Sequence, residues 1–138
     1  LRLQSTTIRL SLGNTSGSAS VTYQSTATLS NNTWYHIVTT FSSTDNEVKI
    51  YINGSLDSTH SKTDLISSNN QPLRLGTGYN LLNYFDGDMD EVAIWNKALE
   101  LEDVQTIYNA TNDNPGKCAN LFTAGLGTDL VFWNRMGD

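Results

Sequence analysis

Val48-Lys49-Ile50-Tyr51-Ile52 places Val48, Ile50 and Ile52 on one face and Lys49 and Tyr51 on the other, and Asn53-Gly54 follows at once. Alternation with period two is the pattern of a half-buried strand. Asn-Gly readily takes positive φ at both central positions of a type I′ turn, so residues 56–60 are expected to return as an antiparallel partner. A hairpin at the centre of the chain sets the class of fold, because its apolar face needs further strands to cover it.

Upstream, residues 34–42 carry Trp34, Tyr35, Ile37, Val38 and Phe41, with Ser30-Asn31-Asn32 before them and Ser, Thr, Asp and Asn after. That composition reads as a central strand. Residues 7–12 and 20–28 read as strands separated by a Gly13-Asn14-Thr15-Ser16-Gly17 turn. Residues 72–75 and 85–95 continue the series, and 130–133 is a last short apolar run. One helix interrupts them over 100–110, where Leu101, Val104, Ile107 and Tyr108 form a single stripe. Glu100, Glu102 and Asp103 sit in its first turn, where the helix dipole favours negative charge, and Pro115 lies beyond its end. Short strands broken by turn residues indicate an all-β sandwich or barrel with one short helix near the C-terminal third.

At 138 residues the chain has the size of one domain, read as spanning 1–138. Charged residues make up only 16% against 38% hydrophobic, so Ser, Thr and Asn supply the polarity, which argues against a disordered acidic tail or a coiled coil. A net charge of -6 is the wrong sign for non-specific binding to a phosphate backbone, so no nucleic-acid partner is expected. No window approaches the roughly 18 consecutive apolar residues of a membrane span, and Leu1-Arg2-Leu3-Gln4 does not open a signal peptide. The chain is therefore read as soluble, without membrane insertion, and as either mature or excised. Cys118 is the single cysteine, so stability is expected to come from packing rather than an internal disulfide.

Four blocks in register carry a family resemblance: Trp34-Tyr35-His36-Ile37-Val38, then Val48 through Gly54, then Pro72-Leu73-Arg74-Leu75-Gly76, then Gly87-Asp88-Met89-Asp90-Glu91-Val92-Ala93-Ile94-Trp95 running on to Ala98-Leu99. Over about residues 1–110 the chain resembles laminin-G-like domains of the concanavalin A-like lectin/glucanase superfamily. The resemblance implies a two-sheet antiparallel jelly-roll sandwich. It departs in one respect: such domains open with an aromatic strand and an Asp/Ser/Gly/Asn turn, which this chain lacks at its start. Residues 130–138, with Phe132, Trp133 and Asp138, look like that opening strand. They either fill its vacant place in this domain or begin a second copy in a tandem protein.

Some glycoside hydrolases of the superfamily carry Glu-x-Asp-x-x-Glu on a strand, and Asp86-Gly87-Asp88-Met89-Asp90-Glu91 has that outline. Retaining enzymes hold the two outer carboxylates about 5–5.5 Å apart. With Asp86 in the nucleophile position the side chain is one methylene short, a displacement of about an ångström that is enough to cost about 10²-fold. No catalytic residue is therefore expected. The resemblance implies instead a structural calcium near Asp90, with Asp138 as the stand-in for the absent acidic opening; such an ion takes hard oxygen ligands. The plain alternative is that Asp90 and Glu91 bond backbone amides.

The polar loop over 76–86 is the candidate ligand site, because loops on a rigid sandwich carry function. Tyr79 and Tyr84 offer rings for the apolar face of a sugar, and Asn80, Asn83 and Asp86 offer hydrogen bonds to its hydroxyls. A solvated loop with one anchoring aromatic is the bland alternative. Trp34, Tyr35, Phe41 and Trp95 lie in strand segments and are expected in the core. His36 is expected to pack in its strand, and neither it nor His60 has a partner at zinc-ligand spacing. Asn-x-Ser/Thr occurs at Asn14, Asn31, Asn53 and Asn109, as a chain so rich in these residues would produce by chance.

Two functions fit these expectations. One is a carbohydrate-recognition module of a larger extracellular, cell-surface or virion-surface protein. The other is a structural or adhesive module contacting a surface protein, neighbouring domains or tandem copies.

Overall fold

The computed structural model describes residues 1–13, 21–63, 66, 70, 72–77, 84–112 and 119–136. Among these, β1 (Arg2–Gln4), β2 (Thr7–Leu12), β3 (Val21–Gln24), β4 (Ile37–Ser42), β5 (Glu47–Ile52), β6 (Ser55–Ser61), β7 (Val92–Trp95), α1 (Leu101–Asn112) and β8 (Leu130–Asn134) follow in chain order. They pair antiparallel as three small sheets, ordered β1-β2-β3, β4-β5-β6 and β7-β8. The chain is thus mostly β with one short helix, as its sequence indicates. The strands fall into three small sheets among the described residues.

The central hairpin forms as expected. φ is +51° at Asn53 and +76° at Gly54, the left-handed pair that a type I′ turn requires. Ile50 and Val48 on one face of β5 are completely buried, and Ile50 packs with Ile8 of β2 and with Leu29, which follows β3. The opposite face was expected to be polar, yet Tyr51 is buried too, packed with Leu99 and Val104. β5 is covered on both faces because the helix occupies the side that alternation alone would leave to water.

Three expected strands are shorter, each for a visible reason. The strand over 34–42 begins only at Ile37, because the Asn53 side chain accepts the His36 N–H at 3.0 Å and takes up the amide a ladder would use. The strand over 20–28 stops at Gln24: Ser25 exchanges bonds with Ile8, and the Thr26 and Ala27 amides both donate to the Asp57 carboxylate at 2.7 Å. Side-chain acceptors have replaced the ladder there. Residues 72–75 form no strand, where Pro72 lacks a donor, and 85–95 is extended into a ladder only over Val92–Trp95. In the latter segment Glu91 sits at φ +52°, which breaks the extended run. The Gly13–Gly17 turn falls at residues 14–17 outside the described residues.

The helix begins where its caps dictate. The Asp103 carboxylate reaches back to accept the Glu100 N–H at 3.2 Å, and Leu99 packs against Val104 across the entry. These are the back-reaching half of a capping box and the apolar staple of a well-defined N-terminus. Val104 is fully buried and Ile107 packs in two clusters, but Leu101, expected on the same stripe, is exposed. Tyr108 lies over the hairpin turn: a Cβ on Gly54 would stand 2.7 Å from its ring. Gly54 therefore permits both the turn and the seating of the helix.

On the far side, Ala119, Leu121 and Leu126 form a core with Trp95, Leu130 and Trp133, joining the helix to the β7-β8 pair. The register of that pair runs from Val92 opposite Asn134 to Trp95 opposite Leu130. Among the described residues no helix is long and apolar enough to cross a membrane.

Candidate ligand-binding site

The described part of the expected ligand loop is its stem. Thr77 and Tyr84 form an antiparallel bridge, and the Phe85 N–H donates to the Gly76 carbonyl at 2.8 Å. Gly76 takes φ +73°, and the Met89 methyl lies where a Cβ would come within 3.1 Å, so the stem is pinned from behind. On it, Tyr84 is 74% exposed. Asp86 is exposed two residues further on. The structure thus brings Tyr84 and Asp86 to one stem; Tyr79, Asn80 and Asn83 lie outside the described residues.

Asp90 and Glu91 have local work. Asp90 Oδ1 accepts the Glu91 N–H at 2.9 Å. The Glu91 carboxylate accepts the Trp133 indole N–H at 2.6 Å through Oε2 and the Arg135 Nε–H at 3.2 Å through Oε1. The Arg135 guanidinium also lies over the Trp133 ring, 5.4 Å from its centroid. A non-glycine residue at positive φ is strained by about 1–3 kcal/mol, and these charge-assisted bonds offset the strain. Glu91 is a brace between the end of the chain and the Asp-Glu-Val turn, with both oxygens engaged. Sequence reasoning missed it, because its partners lie 42 and 44 positions away.

Calcium takes six to eight oxygens. Among the described residues no three His, Cys, Asp or Glu side chains converge. Asp138, its expected companion, lies outside the described residues, as does Cys118.

The aromatic expectations divide. Tyr35 packs on the first core cluster, and its hydroxyl accepts the Ser30 N–H at 3.0 Å. Trp95 bridges two clusters, and its indole N–H donates to the Leu126 carbonyl at 2.8 Å. Trp34 is not core: it is 67% exposed, because it precedes the point where β4 enters the ladder. Phe41 is half-buried with the Lys62 ammonium 5.8 Å from its ring centroid. His36 packs against the Tyr108 ring at 5.8 Å, its buried Nδ1 has no hydrogen-bond partner among the described residues, and burial holds its pKa below the usual histidine value.

A laminin-G-type family model, described as the concanavalin A-like lectin/glucanases superfamily, matches residues 1–105. Among solved structures the chain is similar to an S-layer domain-containing protein from Clostridium thermocellum, at 19% identity and a TM-score of 0.45, over 65% of this chain and 46% of that one. The chain thus spans about half the length of that structure. No curated protein matches it.

Proposed function

Since the chain belongs to the concanavalin A-like lectin/glucanases superfamily, we propose that it is a non-catalytic recognition module that binds carbohydrate, carried in a larger extracellular or surface protein. The observation that carries this reading is the Tyr84 ring, three-quarters exposed on a stem fixed by the Thr77 bridge and the Phe85–Gly76 bond. A large aromatic left in water on a rigid support is a platform for the apolar face of a sugar, and Asp86 beside it accepts hydrogen bonds from hydroxyls. Tyr79, Asn80 and Asn83 complete the proposed loop. The engagement of Glu91 by Trp133 and Arg135 supports a structural role for the one glutamate that a glycosidase reading would need. Within the same proposal, the first two sheets are the layers of a jelly roll and β8 stands in for the opening strand beside β7. A structural calcium at Asp90 and Asp138 rests on family resemblance.

The test is a glycan array probed with the purified chain, once with calcium and once with chelator. Selective binding that Tyr84→Ala reduces about tenfold is the expected result, and loss in chelator would place the ion in the domain. A blank array from folded protein in both conditions removes the carbohydrate reading. A second reading, a structural or adhesive protein module, is favoured by the exposed Phe122 and Val131 near Trp133, with the Phe122 and Trp133 ring centroids 5.8 Å apart. A glycan-independent multimer in light scattering would support it.

A further inference from the structure

A groove of about 460 Å³ runs between β4 and the segment that leaves β7. Residues 39–44 line one side without a gap, residues 95–98 the other, and Ile66 adds one apolar side chain. A surface over one face of a strand is lined by every second residue, so a wall made of consecutive residues lies along the backbone edge. β4 is the outer strand of its sheet and pairs only with β5 among the described residues.

The lining is neutral and hydroxyl-rich. Some of its groups are already committed: Tyr51 bonds the Thr40 side chain, and the Ser42 hydroxyl donates to Asp45 at 2.6 Å. The Thr39 and Ser43 hydroxyls and the Asn96 carboxamide have no hydrogen-bond partner among the described residues. The Trp95 ring is held in place by its bond to Leu126. Lys97 is the one charged side chain among the described lining residues, and Asp103 neutralises it at 3.4 Å.

We propose that this groove is a second sugar-binding site, taking a stretch of a neutral oligosaccharide along the β4 edge between Trp95 and the Thr39, Ser43 and Asn96 side chains. The proposal rests on the reading of the chain as a carbohydrate-recognition module and adds to the Tyr84 loop a site and a ligand class. The volume falls within the roughly 300–1,000 Å³ of small-molecule sites. A ring fixed from behind, flanked by uncommitted hydroxyls and an amide, matches a ligand with apolar faces and a rim of hydroxyls. The neutral lining, in a chain of net charge -6, disfavours sulfated or uronate sugars. An added polypeptide strand would instead seek apolar pockets for alternate side chains, and hydroxyls dominate this wall.

The experiment titrates the full 138-residue chain by calorimetry with neutral hexasaccharides of α- and β-linked glucose and mannose, and with a sulfated heparin-derived hexasaccharide. It is repeated on Thr39→Ala/Asn96→Ala, on Ser43→Trp, which fills the groove, and on Tyr84→Ala, with thermal melts to confirm folding. Binding of a neutral hexasaccharide that falls about tenfold or more in both groove variants is expected, as two lost hydrogen bonds of ordinary strength would give. Neutral binding that survives both groove variants and falls only in Tyr84→Ala overturns the groove while leaving the module reading intact. Binding of the sulfated probe alone also overturns it. No binding to any probe, together with a blank array, removes the recognition reading itself. Self-association of the wild type that the groove variants abolish overturns the proposal in favour of strand addition at the β4 edge.

Discussion

The β5-β6 hairpin and the β7-β8 pair are both antiparallel ladders in one small domain, but they are held by opposite means. The hairpin closes through a two-residue turn and buries Val48 and Ile50 completely, between a second sheet on one face and a helix on the other. The terminal pair brackets that helix, leaves Ile94 and Val131 exposed, and depends on one carboxylate, Glu91, for the polar ties to Trp133 and Arg135. Full burial of an Ile contributes about 1.5–3 kcal/mol, and such contacts are spread over many neighbours. The indole bond to a charged partner contributes about 1.5–3 kcal/mol, whereas the half-exposed Arg135 pair contributes about 0–1 kcal/mol. Burial is thus spread over many contacts in the hairpin, whereas the terminal pair adds to its own apolar cluster a polar tie concentrated in one side chain.

The largest expected effect tests the distributed side. Ile50→Ala should lower global stability by about 3–4 kcal/mol in urea unfolding, since a fully buried branched side chain leaves a cavity between two sheets. A loss under about 1 kcal/mol would mean that the two sheets do not pack as described. Gly54→Val comes next, at more than about 2 kcal/mol, from a β-branched residue at φ +76° and a clash with the Tyr108 ring. Placing it in a Tyr108→Ala background should recover the clash and leave the turn strain, and full additivity of the two changes would disprove the shared contact.

The concentrated side should respond locally. Glu91→Ala is expected to cost about 1–3 kcal/mol by stranding the half-buried Trp133 indole N–H, with faster amide exchange in β7 and β8 and none in β5 and β6. Uniform exchange changes across both pairs would end the distinction between them. The smallest effect is titration at the seam between helix and hairpin. Burial holds His36 below the usual value of about 6.5, so as pH falls the unfolded chain takes up the proton before the folded one does. His36 therefore leaves stability intact above about pH 6.5 and diminishes it as pH drops from there toward the lower folded value. His36→Phe should flatten that part of a melting-temperature profile between pH 7.5 and 5, and an unchanged slope would assign it to other groups.

The same division explains what the sequence disclosed. The hairpin was legible because everything that makes it is local: alternation, then Asn-Gly. The helix was legible from its stripe and acidic first turn, although Leu101 was misjudged because period alone does not say how wide the buried face is. Trp34 was misplaced because the Asn53 side chain, not the strand's own composition, decides where β4 begins. Tyr51 was expected to face water because the helix that covers it lies fifty residues downstream. At the candidate site, Tyr84 and Asp86 were recoverable from a polar, aromatic loop. The Glu91 brace and the β4-edge groove were not, since each depends on residues brought together only by the tertiary fold.

The separation of β7 from β8 also bears on how the molecule assembles. A two-residue turn closes with little loss of chain entropy, and isolated hairpins form in about 1–10 μs. The Glu91–Trp133 contact spans 42 residues, and loop-closure entropy must be met before such contacts contribute. Until β8 arrives, β7 is an unpaired edge that carries Ala93 and Trp95. An intermediate of that kind displays a strand template and apolar surface together, the combination from which aggregation starts. Arrival of β8 pairs one edge of β7 and brings Leu130 and Trp133 into the cluster that holds Ala93 and Trp95, so the terminal ladder also guards the domain against its own copies.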